Sequence, residues 1–303
     1  MTDIFLRKKI REMLAEDFGR GDVTSEVLIK PNLRAKAEVI SKQEGMLAGA
    51  REAAMIFREV GVRAKIRHRD GENIQPGDVV LELEGPARKI LGAERVALNL
   101  MMRMSGIATV TRELIERARR KNPKIVIAAT RKTAPLLKYF DKRAVKVAGG
   151  WPHRFDLSDQ VLIKDNHLRL VGPITMAVRK FKEQGNYGKI EVETTTPEEA
   201  LEAARAGADI VMLDNMSPSQ IRQAIRLLGR EGLRKRVTLE ASGGITPANV
   251  AEYATTGVDI ISTSYMTMRA CAIDMSLKVK EIVGVRGQAN PVSGARNHNR
   301  KRF

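Results

Sequence analysis

Cationic side chains recur in this chain directly after short apolar runs. Arg131 and Lys132 follow KIVIAAT (124–130), His153 and Arg154 follow the glycines at 149 and 150, and Lys164 closes QVLIK (160–164). Two carboxylates sit the same way further on, Glu193 at the end of KIEVE (189–193) and Asp214 just after DIVML (209–213). Arginine presents a planar fork suited to carboxylate or phosphate, and lysine supplies a compact point charge. Together they expect a ligand with several negative charges. The carboxylates opposite them suit hydrogen bonds to ribose hydroxyls, or a Mg²⁺ shared with a pyrophosphate, because Mg²⁺ takes few protein carboxylates alongside substrate oxygens. The stretch EASGGITPANV (240–250) adds a phosphate cradle: Ser242, Gly243 and Gly244 leave backbone N–H groups open, Thr246 is placed to cap a helix and Pro247 suits its first turn.

These residues need a frame that brings distant stretches of chain together. Six apolar, β-branched runs alternate with helical segments: the three above at 124–130, 160–164 and 189–193, then DIVML, VTLEA (237–241) and VDIIS (258–262). Strands apolar on both faces, with helices between, indicate a parallel sheet covered by helices, and this many in one run favour a barrel. These polar residues stand at the C-terminal ends of those strands, the rim where such barrels collect their chemistry. Ahead of this region lies a different pattern, a first helix followed by strand-like AKAEVISK, VRAKIRHR and DVVLELEG with turns at Gly45, Gly71 and Pro76–Asp78, which reads as a small α+β domain. Between the two, residues 93–121 are helical in period, with Met101, Met104, Ile107 and Leu114 as packing positions and Ser105–Gly106 as an internal break.

Composition bounds the function classes. With 303 residues, 43% hydrophobic and 29% charged, the chain suits about two domains with a real core. No apolar run approaches the roughly 20 residues of a membrane helix, and the N-terminal segment shows no secretory h-region, so a cytoplasmic protein without membrane contact is expected. The single cysteine, Cys271, excludes an internal disulfide and a thiolate zinc site and reads as a small buried hydrophobe. The net charge of +17 attracts polyanions in general, and RGQANPVSGARNHNRKRF at the end reads as a basic disordered tail. Walker A, GxGxxG and HExxH patterns are absent.

The segments ERVALNLMMRMSGIATVT (94–111), TRKTAP (130–135), HRFDLSDQVLIKDNH (153–167), EVE (191–193), MLDNM (212–216), EASGGIT (240–246) and DIIS (259–262), preceded by EDFGRGDVTSE and EGMLAGA, resemble the quinolinate phosphoribosyltransferase family from about residue 3 to 283. The resemblance implies an N-terminal α+β sandwich domain at 1–108 and a partly open, TIM-like α/β barrel at 109–272. It is followed by a C-terminal helix at 273–285 packing back on the first domain and the basic tail at 286–303. It also implies a homodimer, with higher oligomers open, whose sites are shared: Arg131, Lys132, His153, Arg154 and Lys164 line a pocket for quinolinate and phosphoribosyl pyrophosphate, and Arg95 reaches in from the partner. Lys132, Lys164, Glu193 and Asp214 would be catalytic. Glu193 and Asp214 would hold the ribose and, indirectly, Mg²⁺ through the pyrophosphate, while Ser242, Gly243, Gly244 and Ser264 would take the 5′-phosphate. Trp151 is open to walling the pyridine ring or to core packing, and His167 to orienting its neighbours. Five positions depart from the family pattern: Ala129, Leu136, Ala148, Pro152 and Ser264. The alternatives are a phosphoribosyltransferase for another pyridine acid such as nicotinate, or a non-catalytic basic protein binding nucleic acid, which the shared presence of all these charges disfavours.

Overall fold

The structure is a computed structural model and describes residues 3–185 and 188–283. Its first domain is built on a four-stranded antiparallel sheet, in the order Met275–Val283, Arg34–Ser41, Val79–Pro86, Arg63–Ile66. Alternation sets the face: Ala35, Ala37 and Val39 are buried while their neighbours face outward. The helix Asp3–Phe18 packs onto the domain through Leu6, Ile10 and Leu14, one residue per turn. The segment 275–283, expected as a helix, is instead a strand on the sheet edge, paired along its length with Arg34–Ser41. Its short apolar pattern, MSLKVKEIV, fits either period, and the open edge decides in favour of the strand. Lys36 to Glu281 at 2.9 Å and Lys280 to Glu38 at 3.3 Å lace the pairing. The basic tail lies outside the described residues.

The two domains are threaded by one helix, Ala87–Arg119, of 33 residues, so the boundary expected at 108 falls inside it. Ser105–Gly106 does not break it. The Ser105 hydroxyl bonds both the N–H and the carbonyl of Ala48 at 3.1 Å, and Gly106 is small because a Cβ there would collide with the Cys271 carbonyl. The pair is a packing device that lets loop backbone approach the helix. Gly106→Ala is therefore expected to destabilise the protein by about 3 kcal/mol, since the obstacle is backbone and cannot rotate away. A urea midpoint measurement checks this. Cys271 itself is exposed, contrary to the buried reading, because its carbonyl and not its side chain faces the helix. Arg143 ties the halves with bonds to Glu52 at 2.6 Å and Asp70 at 2.7 Å.

The second domain carries six parallel strands in the order Val126–Ala128, Ile260–Ser262, Thr238–Ser242, Ile210–Asp214, Ile190–Thr194, Val161–Ile163. The two edge strands do not pair with each other among the described residues, so the barrel is partly open. The register sets interior layers: Glu193 and Glu240 both pair with Met212, and Ser242 pairs with Asp214 one layer nearer the C-terminal rim. Side chains two apart share a face, which puts Glu191 directly below Glu193. No helix among the described residues is long and apolar enough to cross a membrane.

Candidate active site

At the C-terminal rim a cavity of about 590 Å³ opens, and Arg131, Lys132, His153, Arg154, Lys164, Glu193, Asp214, Ser242, Gly243, Gly244 and Ser264 all line it. Arg95 does not. It stands half-exposed on the long helix, paired at 2.7 Å with Glu94. Trp151 does not line the cavity either: its backbone bridges to Ala128, and its ring lies 4.7 Å from that of His153.

The cations arrive from three places and are poorly neutralised. Arg131 and Lys132 leave the strand Val126–Ala128, and the Thr130 hydroxyl accepts the Lys132 N–H at 3.0 Å. Arg154 is 6% exposed, and burial, with Arg131 close by, lowers its pKa. Its guanidinium donates to the Gln160 carbonyl at 3.0 Å. Among the described residues none of Arg131, Lys132 or Arg154 has a carboxylate in ion-pair contact. Lys164 is the exception, 3.5 Å from Glu193. The backbone N–H of Lys164 donates to His167 Nδ1 at 3.0 Å, so His167 closes the first turn of Asp165–Val171 and orients its neighbour.

The carboxylates form two layers. Burial raises the pKa of Glu193, Lys164 opposes this, and the charge of Asp214 adds to it. Glu191, a layer below Glu193, and Glu240, level with it, are both fully buried and face His153, whose Nε2 lies 3.2 Å from Glu240 and 3.5 Å from Glu191. Burial first, and Glu240 second, push the Glu191 carboxyl well up. The raised Glu191 carboxyl favours its protonated form, and His153 Nε2 shares a hydrogen bond with Glu240 Oε2. One oxygen of each of these two carboxylates has no hydrogen-bond partner.

Opposite lies the small-residue turn. Gly243 (φ +91°) and Gly244 (φ +62°) are left-handed, and Asn215 beside them has φ +54°. A Cβ on Gly243 would collide with the Asn215 side chain and come to 2.8 Å of its backbone N, whereas one on Gly244 meets nothing within 4 Å. The turn is held from below, where Ser262 donates to Ser242 at 3.0 Å and Thr263 to the Ile245 carbonyl at 2.6 Å. Thr246 does not cap as expected: the following helix begins at Val250, and the Thr246 N–H is itself taken by Asn249 Oδ1 at 2.8 Å. Leu136 is held left-handed at φ +63°.

Sequence reasoning missed Glu191, Glu240 and Lys142. The first two look like ordinary strand residues, and only the inward layering of the curved sheet, which the period of two does announce, turns them toward His153. Lys142, 1% exposed on the helix Lys138–Val147, carries no signal of its own.

A barrel rim that gathers unpaired cations, two carboxylates and a glycine turn defines an enzyme for joining phosphorylated and carboxylated substrates. Residues 22–105 match the model for the N-terminal domain of quinolinate phosphoribosyl transferase and 107–278 the model for its C-terminal domain. The chain belongs to the quinolinate phosphoribosyltransferase family. It is 48% identical to the probable carboxylating nicotinate-nucleotide pyrophosphorylase of Methanothermobacter thermautotrophicus, over 89% of this chain and 98% of that one. With the probable enzyme of the same name from Bacillus subtilis the identity is 38%, over 92% and 95%. The solved nicotinate-nucleotide pyrophosphorylase of Francisella tularensis superposes with a TM-score of 0.83 at 36% identity, covering 92% of this chain and 98% of that one.

Proposed function

We propose that the protein transfers the phosphoribosyl group of phosphoribosyl pyrophosphate to quinolinate with loss of CO₂, giving nicotinate mononucleotide and pyrophosphate, a step in NAD biosynthesis. The observation that carries this reading is the set of cations, Arg131, Lys132 and Arg154, without a carboxylate in ion-pair contact among the described residues, in a pocket that faces Glu193 and Asp214. Bringing a dianion against a still more negative pyrophosphate ester costs Coulomb energy that only such preplaced cations offset. Arg131, Arg154 and Lys164 take the two carboxylates of the pyridine, with His153 beside them, and the turn Ser242–Gly244 with Ser264 takes the 5′-phosphate.

Glu193 and Asp214 sit where ribose hydroxyls would be, and their mutual repulsion favours a cation between them and the substrate. Their hard oxygens suit Mg²⁺ carried in with the pyrophosphate, and when bound it would offset charge on the departing group. The pyridine nitrogen pair then forms the bond to ribose C1 as the bond to pyrophosphate breaks and its electrons leave with pyrophosphate. Lys132 and Lys164 stabilise that developing charge as fixed donors, with no side-chain nucleophile required. Loss of CO₂ breaks the ring C2–carboxylate bond, the cationic ring nitrogen stabilises the electron pair left on C2, and that carbon takes up a proton. Arg95, unused in its own chain's cavity, is assigned to the site of a second copy in a homodimer.

The test is incubation with Mg²⁺, phosphoribosyl pyrophosphate and either quinolinate or nicotinate. Mononucleotide and CO₂ in equal amounts from quinolinate, with no product from nicotinate, is the expected result. Product from nicotinate alone would reassign the substrate.

A further inference from the structure

The loop that delivers His153 and Arg154 is held in a way the reaction does not explain. His153 has φ +56°, a left-handed conformation that non-glycine residues adopt only where the surroundings enforce it. Upstream the chain is docked, since Trp151 donates to Ile127 at 2.8 Å and its carbonyl accepts from Ala129 at 2.9 Å. Downstream there is no strand until Val161. What bridges the gap is Lys142, whose ammonium is sealed beneath the loop and donates to the carbonyls of Pro152 and Arg154, the residues on either side of His153.

This is an unfavourable place for a lysine. It is 1% exposed, and burial together with the cations Lys138, Arg131 and Arg154 lowers its pKa to about 8, against the opposing charge of Asp159. The adjacent Asp141 is committed elsewhere, bidentate to Arg103 at 2.8 Å. A methionine would fill the same space without a buried charge, so packing alone does not account for a lysine here.

We propose that Lys142 is a positioning residue for the pyridine dicarboxylate: by clamping the carbonyls that flank His153 it fixes both the imidazole over Glu240 and the direction of the Arg154 guanidinium. This rests on the quinolinate reading above. The subsite for the phosphoribosyl donor, built on Glu193, Asp214 and Ser242–Gly244, stands on other strands and does not depend on the clamp.

Lys142→Met keeps the volume and removes the donors. Its KM for quinolinate is expected to rise about tenfold or more while the KM for phosphoribosyl pyrophosphate stays within about twofold. Hydrogen exchange read without substrate should quicken in 151–156 and stay unchanged in 189–194 and 209–215. An equal rise in both KM values, or unchanged protection of 151–156, overturns the proposal. Lys142→Gln, too short to reach both carbonyls, loosens the same clamp without placing an apolar end there and carries the same comparison if the methionine variant does not fold. The exchange arm reads the clamp alone, and wild-type turnover reads the substrate assignment alone, so the two failures are distinguishable.

Discussion

Arg154→Met lowers kcat/KM for quinolinate by about 10²-fold or more without lowering the unfolding midpoint. The size follows from what the residue is for: a preplaced cation in a partly enclosed site is worth about as much as a donor aimed at developing charge. The stability half follows from its surroundings. Arg154 is buried beside another cation, its pKa is depressed, and its guanidinium donates to the Gln160 carbonyl and to no carboxylate among the described residues. Burial and Arg131 outweigh the nearby carboxylates Glu191, Asp156 and Asp159, so removing this charge relieves the folded state rather than weakening it. Steady-state kinetics and a thermal melt on the same preparation check both halves. A structural arginine would give the opposite pair, a lower midpoint with kinetics little changed.

Gly243→Ala is the second large effect, and it contrasts with its neighbour. At Gly243 a methyl group meets the backbone N of Asn215 at 2.8 Å in a left-handed turn, so either the glycine turn or the Asp214–Asn215 turn must move. Both belong to the phosphoribosyl subsite, and a shift of an ångström there costs about 10²-fold in kcat/KM for phosphoribosyl pyrophosphate. Gly244 has open space around a Cβ, so Gly244→Ala carries mainly the left-handed backbone cost, about 1 kcal/mol of stability. Kinetics with varied phosphoribosyl pyrophosphate, run on the two variants side by side, separate crowding from conformational strain. Equal losses from the two would show that the geometry around Asn215 is not what matters.

Much of this was legible in the chain itself. The six barrel strands announce themselves because buried parallel strands are apolar on both faces, and the residues that close them stand on one rim for the same reason. Segment 275–283 was not legible as a strand, because its pattern allows either period and only the open edge of a distant strand, Arg34–Ser41, settles it. Ser105–Gly106 reads locally as a break, yet the helix continues because the glycine admits the Cys271 carbonyl, a contact made across 165 residues of chain in which neither partner signals the other. Within the site the rim charges could be read, but what supports them could not. Glu240 and Lys142 act through His153 and its flanking carbonyls, and such pairing is a property of closed tertiary structure.

The reaction requires two anionic molecules lying side by side in one pocket, with their charges divided between separate strands. A crystal structure with quinolinate and an unreactive phosphoribosyl pyrophosphate analogue tests that most directly. The predicted result places the pyridine carboxylates against Arg131, Arg154 and Lys164 and the ribose against Glu193 and Asp214, with the 5′-phosphate on Ser242–Gly244. Quinolinate bound outside this cavity, or the analogue phosphate away from the glycine turn, would contradict it.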